Sequence, residues 1–147
     1  DLIWFDNLDV VRSASFYVQK LFSCYKGTER LDITVEGLPL VGGLGQDSLY
    51  ASAVWDAHRN AYILKLVNLS RNDQCLSIAE SGIGKELCDR GEVIEFGTTC
   101  DSIDNRRDNN MLVVPKSYPI KVGSLHTLPL SVKSRSLSIY ILYRKGK

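Results

Sequence analysis

Two hydrophobic periods divide the chain. Between Ser13 and Tyr25 the apolar positions Tyr17, Val18, Leu21, Phe22 and Tyr25 recur at i, i+1, i+4, i+5 and i+8, which predicts a helix with those side chains on one face. Ser13 or Ser15 can cap its start, because a short hydroxyl accepts from an orphan backbone N–H. Gly27 can end it in a left-handed turn. A single amphipathic helix this short is unstable alone, so its wide apolar face needs a partner. After Gly27 the period becomes two. Leu49 to Trp55 and Ala61 to Val67 read as strands, with Asp56 to Asn60 as the hairpin loop between them. Cys75 to Ile78 and Glu92 to Phe96 alternate as well. Met111 to Val114 and Tyr118 to Val122 are short extended runs marked off by Pro115 and Pro119. In the last run, Leu137, Ile139, Ile141 and Tyr143 face one side while Ser136, Ser138 and Tyr140 face the other.

About seven or eight short strands with turn signals between them predict a mostly β fold, a sandwich of jelly-roll type preceded by one amphipathic helix. No helical pattern separates the strands, which argues against βαβ units. No internal repeat is visible, and the polar stretch from Asp101 to Asn110 reads as a long loop.

Composition adds bounds. The 147 residues suit one domain of ordinary size, and 44% apolar with 24% charged is enough for a packed core. A net charge of +1 with scattered basic residues gives no footprint for nucleic acid or an anionic membrane. The one basic cluster, Tyr143 to Lys147, reads as a frayed terminus. No apolar run reaches the roughly eighteen residues of a membrane span, and no secretory signal pattern opens the chain. The only Met is Met111, and the start falls inside a hydrophobic run, so the expectation is a piece of a longer protein. Cys24, Cys75, Cys88 and Cys100 form no C-x-x-C pair; they are either buried thiols or two disulfides of undetermined connectivity, and they leave the compartment open. Asn68-Leu69-Ser70 fits the N-glycosylation sequon, a pattern short enough to arise by chance.

Catalytic motifs fail one after another. Val41 to Asp47 is glycine-rich but lacks the G-x-G-x-x-G spacing and reads as a flexible loop. Gly82-Ile83-Gly84-Lys85-Glu86 has Glu86 where a phosphate loop needs Ser or Thr, and Ala79 where it needs its first Gly. There is no G-x-S-x-G. His58 and His126 have no local nucleophile and carboxylate to form a triad and read as surface residues. Asp101, Asp104 and Asp108 do not match a calcium loop. Seventeen acidic residues yield no pair that can be nominated for the carboxylate separations of a glycosidase, about 5–9.5 Å. No metal, cofactor or catalytic residue is therefore assigned. Trp4, Tyr50, Trp55 and Tyr62 could stack on sugar rings, although large aromatics are more often core or interface. Trp55 and Tyr62, flanking the hairpin loop, are the weak candidates for carbohydrate binding.

Asp1-Leu2-Ile3-Trp4-Phe5-Asp6-Asn7 followed by Phe16-Tyr17-Val18-Gln19-Lys20-Leu21-Phe22-Ser23 resembles the end of the catalytic barrel in α-L-arabinofuranosidases of glycoside hydrolase family 51. There a "D-L-I-x-F-D-N" run precedes "Y-Y-V-Q-K-L-F-S" and a nearby Gly, here Gly27. Ser13-Ala14-Ser15-Phe16 departs mildly from the family's "T-P-N-Y". Leu49 to Ala53 and Leu64 to Asn68 match two strands of that family's C-terminal domain. Thr127-Leu128-Pro129 and Ser136 to Ile139 look like its closing strand, with longer spacing. The resemblance is strongest over residues 1–27 and 49–68 and loose from about 80 to 125.

The resemblance implies that residues 1–26 are the last element of a (β/α)8 barrel and residues 27–147 a C-terminal sandwich, with the helix packing on the barrel. The family's two catalytic glutamates precede Asp1, so the parent, a retaining hydrolase releasing terminal arabinofuranosyl units from arabinan or arabinoxylan, would hold the chemistry elsewhere. The first functional expectation is a supporting domain whose partner is its own barrel, with homo-oligomer contacts allowed for in the parent. The runner-up is a carbohydrate-binding module, and an independent small enzyme is the outside reading. A periplasmic or extracellular parent is preferred only as a leaning.

Overall fold

The computed structural model describes residues 2–36, 40–41, 46–78, 86–98, 103–106, 108–109, 111–123 and 128–146, with 40–41 and 46–47 as backbone only. The described elements are β1 (Ile3–Phe5), β2 (Val10–Arg12), α1 (Ala14–Cys24), β3 (Glu29–Leu31), β4 (Leu40–Val41), β5 (Gln46–Asp47), β6 (Leu49–Asp56), β7 (Ala61–Asn68), β8 (Gln74–Leu76), β9 (Leu87–Gly97), β10 (Lys116–Lys121), β11 (Leu130–Val132) and β12 (Ser136–Arg144). Six strands form an antiparallel sheet in the order β10-β9-β12-β7-β6-β3. The last strand therefore lies at its centre, paired with β7 on one side and β9 on the other.

That central place explains the burial of β12. Its odd positions Leu137, Ile139 and Ile141 join a core on the helix side, with Ile63, Ile94, Phe96, Tyr17 and Leu21. Its even positions Tyr140 and Leu142 join a second core, with Leu66, Val93, Leu130 and Val132, beneath the two-stranded β8–β11 sheet. The result is a β-sandwich with a helix against one outer face. Tyr140 ties the layers together by donating its hydroxyl to the Ser131 carbonyl at 2.8 Å. Burying a side chain such as Ile139 contributes about 1.5–3 kcal/mol.

Helix α1 forms as the pattern predicts. The Ser13 hydroxyl accepts from the Phe16 N–H, and Gly27 follows with φ +71°. Only part of the predicted face is buried, however. Tyr17 and Leu21 pack on the sheet, whereas Val18 and Phe22 are exposed at 37% and 38%. The helix thus packs on the sandwich itself and keeps a second apolar stripe uncovered.

Other expectations need correction. Met111 to Val114 is not a strand. Val113 is held instead by Asn105, whose side chain accepts from the Val113 N–H at 2.7 Å and donates to the carbonyls of Val113 and Arg12 at 2.8 Å. A side-chain amide has replaced a strand partner, and it also fastens the end of β2. Pro119 lies inside β10, which tolerates it as an edge strand. The basic terminus is not frayed through Lys145: β12 runs to Arg144, and the Lys145 N–H donates to the Glu86 carbonyl at 2.7 Å. Strands β1, β2, β3 and β11 were not anticipated, being only three residues each.

The glycosylation sequon is structural. Asn68 is 0% exposed. Its amide hydrogens are shared among the carbonyls of Asn72, Val132 and Lys133 at 2.8–3.1 Å. Its oxygen accepts from the N–H and hydroxyl of Ser70.

Candidate functional site

The β6–β7 hairpin builds the most chemically varied cluster. Its turn is set by Asp56, whose carboxylate accepts from the N–H groups of His58 and Arg59 and from the Arg59 guanidinium at 2.6 Å. Burial pushes this carboxyl up, but the Arg59 hydrogen bonds and charge outweigh it and hold the group below the ordinary aspartate value. Arg59 in turn lies 5.0 Å from the Tyr25 ring centroid, joining the turn to the end of the helix. His58 is exposed in that turn, as a surface histidine.

The turn places Trp55 and Tyr62 opposite each other in register. Their ring centroids are 4.7 Å apart with planes tilted by 53°, and both are half-buried. The Arg144 guanidinium stands 5.8 Å from the Trp55 ring centroid. Its Nε meets Glu86 Oε2 at 3.1 Å, and the Tyr62 hydroxyl reaches the same oxygen at 3.4 Å. Burial first, and then the charge of Glu86, raise the Tyr62 phenol above its ordinary value. The predicted pair is therefore brought together, with Glu86 and Arg144 as partners that sequence reading did not supply. The signal for Arg144 was the alternation of β12 continuing past Tyr143. Chemically, the cluster offers two tilted aromatic surfaces and two ion pairs, Arg144–Glu86 and Arg59–Asp56.

Other candidates do not converge. Asp104 and Asp108 are exposed, and the described residues hold no group of three or more potential metal ligands. Cys24, Cys75 and Cys88 are free. His126, Asp101, Cys100, residues 42–45 of the glycine-rich stretch and residues 82–85 lie outside the described residues. No helix among the described residues is long and apolar enough to cross a membrane.

A second feature is an apolar surface. The β1–β2 hairpin exposes Leu2, Ile3, Trp4, Phe5, Leu8 and Val10, with Phe5 at 80% and Leu8 at 84%. Val18 and Phe22 of the helix add two further exposed apolar side chains. Trp4 and Tyr50, for which core packing was the alternative, are both exposed.

No family profile matches the chain, and no curated protein matches it in sequence. Solved structures do match in fold. The chain shares its β-sandwich-plus-helix architecture with parts of several glycoside hydrolases. An arabinose-bound family 51 α-L-arabinofuranosidase superposes with a TM-score of 0.81 at 23% identity, covering 99% of this chain and 21% of that one. The α-L-arabinofuranosidase of Thermotoga maritima gives 0.82 at 15% identity, covering 97% and 31%. A family 86 β-porphyranase from Bacteroides plebeius gives 0.64 at 15% identity, covering 99% and 22%. The chain thus spans between a fifth and a third of the length of these proteins.

Proposed function

We propose that this chain is the non-catalytic C-terminal accessory domain of a retaining α-L-arabinofuranosidase of family 51. On this reading residues 1–26 close the catalytic barrel and residues 27–147 form a sandwich of jelly-roll type that supports it. The barrel hydrolyses terminal arabinofuranosyl residues of arabinan or arabinoxylan. The observation that carries the proposal is coverage: nearly the whole chain superposes on only 21–31% of arabinofuranosidase chains. The uncovered hairpin and helix stripe fit a domain that rests against a larger body. The purified chain is expected to leave aryl α-L-arabinofuranosides intact, where the longer protein cleaves them. Turnover by the chain itself would contradict the proposal.

A second reading, carbohydrate binding, is favoured by the Trp55–Tyr62 pairing. The 53° tilt allows a sugar ring to stack on one of the two rings but not on both as a flat platform. If the pair binds polymer, the chain is retarded in gels containing arabinoxylan or arabinan, and Trp55→Ala with Tyr62→Ala abolishes the retardation. Unchanged mobility of the parent chain removes this reading.

A further inference from the structure

We infer that the uncovered part of the helix-side sheet face, around Lys65, receives an apolar patch carrying a carboxylate, supplied by the remainder of the longer chain. This rests on the accessory-domain reading and adds the chemistry of the contact.

Lys65 stands in β7, in register with Ser52 of β6 and Ile139 of β12. It breaks the apolar run Ile63-Leu64-Lys65-Leu66-Val67 and is only 6% exposed. Its Nζ lies 5.0 Å from the Phe22 ring centroid. Among the described residues no carboxylate pairs with it. Burial lowers its pKa with no opposing charge to offset the cost. Holding an ammonium in such surroundings costs free energy unless an opposite charge approaches.

The surroundings are those of an interface centre. Val18 and Phe22 on the helix, and Tyr50 and Ser52 on β6, are exposed around the buried lysine. Apolar and aromatic groups surrounding one charge call for a complementary surface of the same kind bearing the opposite charge. The similar enzymes have more than two thirds of their length outside the matched region, which is ample chain to provide it.

The test treats the isolated chain and the longer protein with a zero-length carbodiimide and maps the links by mass spectrometry. Hydroxyl-radical oxidation of the exposed Phe22 and Tyr50 is read in parallel. The expected result in the longer protein is a Lys65 link to an Asp or Glu outside residues 1–147 and loss of Phe22 and Tyr50 oxidation. Lys65→Gln should abolish the link while Phe22 stays protected. If Phe22 and Tyr50 are protected but no link from Lys65 forms, the carboxylate contact is overturned and the accessory-domain reading stands. If both rings stay accessible, docking on this face is overturned; hydrolysis by the isolated chain is the separate result that would sink the accessory-domain reading. A link between two copies of this chain also overturns the inference.

Discussion

Gly27→Ala will cost the chain roughly 4 kcal/mol of stability, combining a strained left-handed backbone with overpacking. Gly27 has φ +71°, a conformation that L side chains rarely adopt. A Cβ there would lie 2.5 Å from Val54 Cγ2 and 2.8 Å from the Trp55 carbonyl oxygen. Neither neighbour can give way cheaply. Val54 belongs to the helix-side core, and the Trp55 carbonyl already accepts from the Thr28 N–H at 2.7 Å. The Thr28 hydroxyl accepts in turn from the Ala57 N–H, so the helix exit, β6 and the hairpin turn share one junction. Urea denaturation measures the loss directly. A variant within about 1 kcal/mol of the parent, the usual range of a benign substitution, would mean that the junction is not tight.

Asn68→Ala comes next, with an expected loss of about 3–4 kcal/mol, since each buried polar group left without a partner costs about 1–3 kcal/mol. The Val132 carbonyl and the buried Ser70 N–H lose their Asn68 partner in one step, whereas the Lys133 carbonyl keeps the Ser136 hydroxyl and the Ser70 hydroxyl keeps the Asn72 carbonyl. Asn68→Asp should fare little better, because a carboxylate can accept from Ser70 but cannot donate to the three carbonyls. The same thermal or chemical unfolding experiment applies, and a neutral result would contradict the bonding described. This burial also means that the folded domain leaves no room for a glycan on Asn68.

The contrast between these residues shows what was legible. Helix α1 and strands β6, β7 and β12 could be read because each is long enough for its period to show and is bounded by Ser13, Gly27 or a turn. The paired placement of Trp55 and Tyr62 followed from the hairpin. Short strands such as β3 and β11 carry only three residues, too few for alternation to stand out. Asn105 and Asn68 were not legible as clamps, because their partners lie 93 and 65 positions away. Val18 and Phe22 were read as one face with Tyr17 and Leu21, since the period gives the apolar sector but not which part the sheet covers. Lys65 did carry a signal, a charge inside an apolar strand, whose meaning required knowing that both neighbouring strands also pack there.

The central claim is that this sandwich supports a larger catalytic body. It is tested most directly by deleting residues 27–147 from the longer protein and measuring the soluble, folded fraction of what remains. The account predicts a truncated protein that is insoluble or unfolded, because the surface formerly resting on the sandwich is exposed. A truncated barrel that stays soluble, folded and active on arabinofuranosides would contradict it.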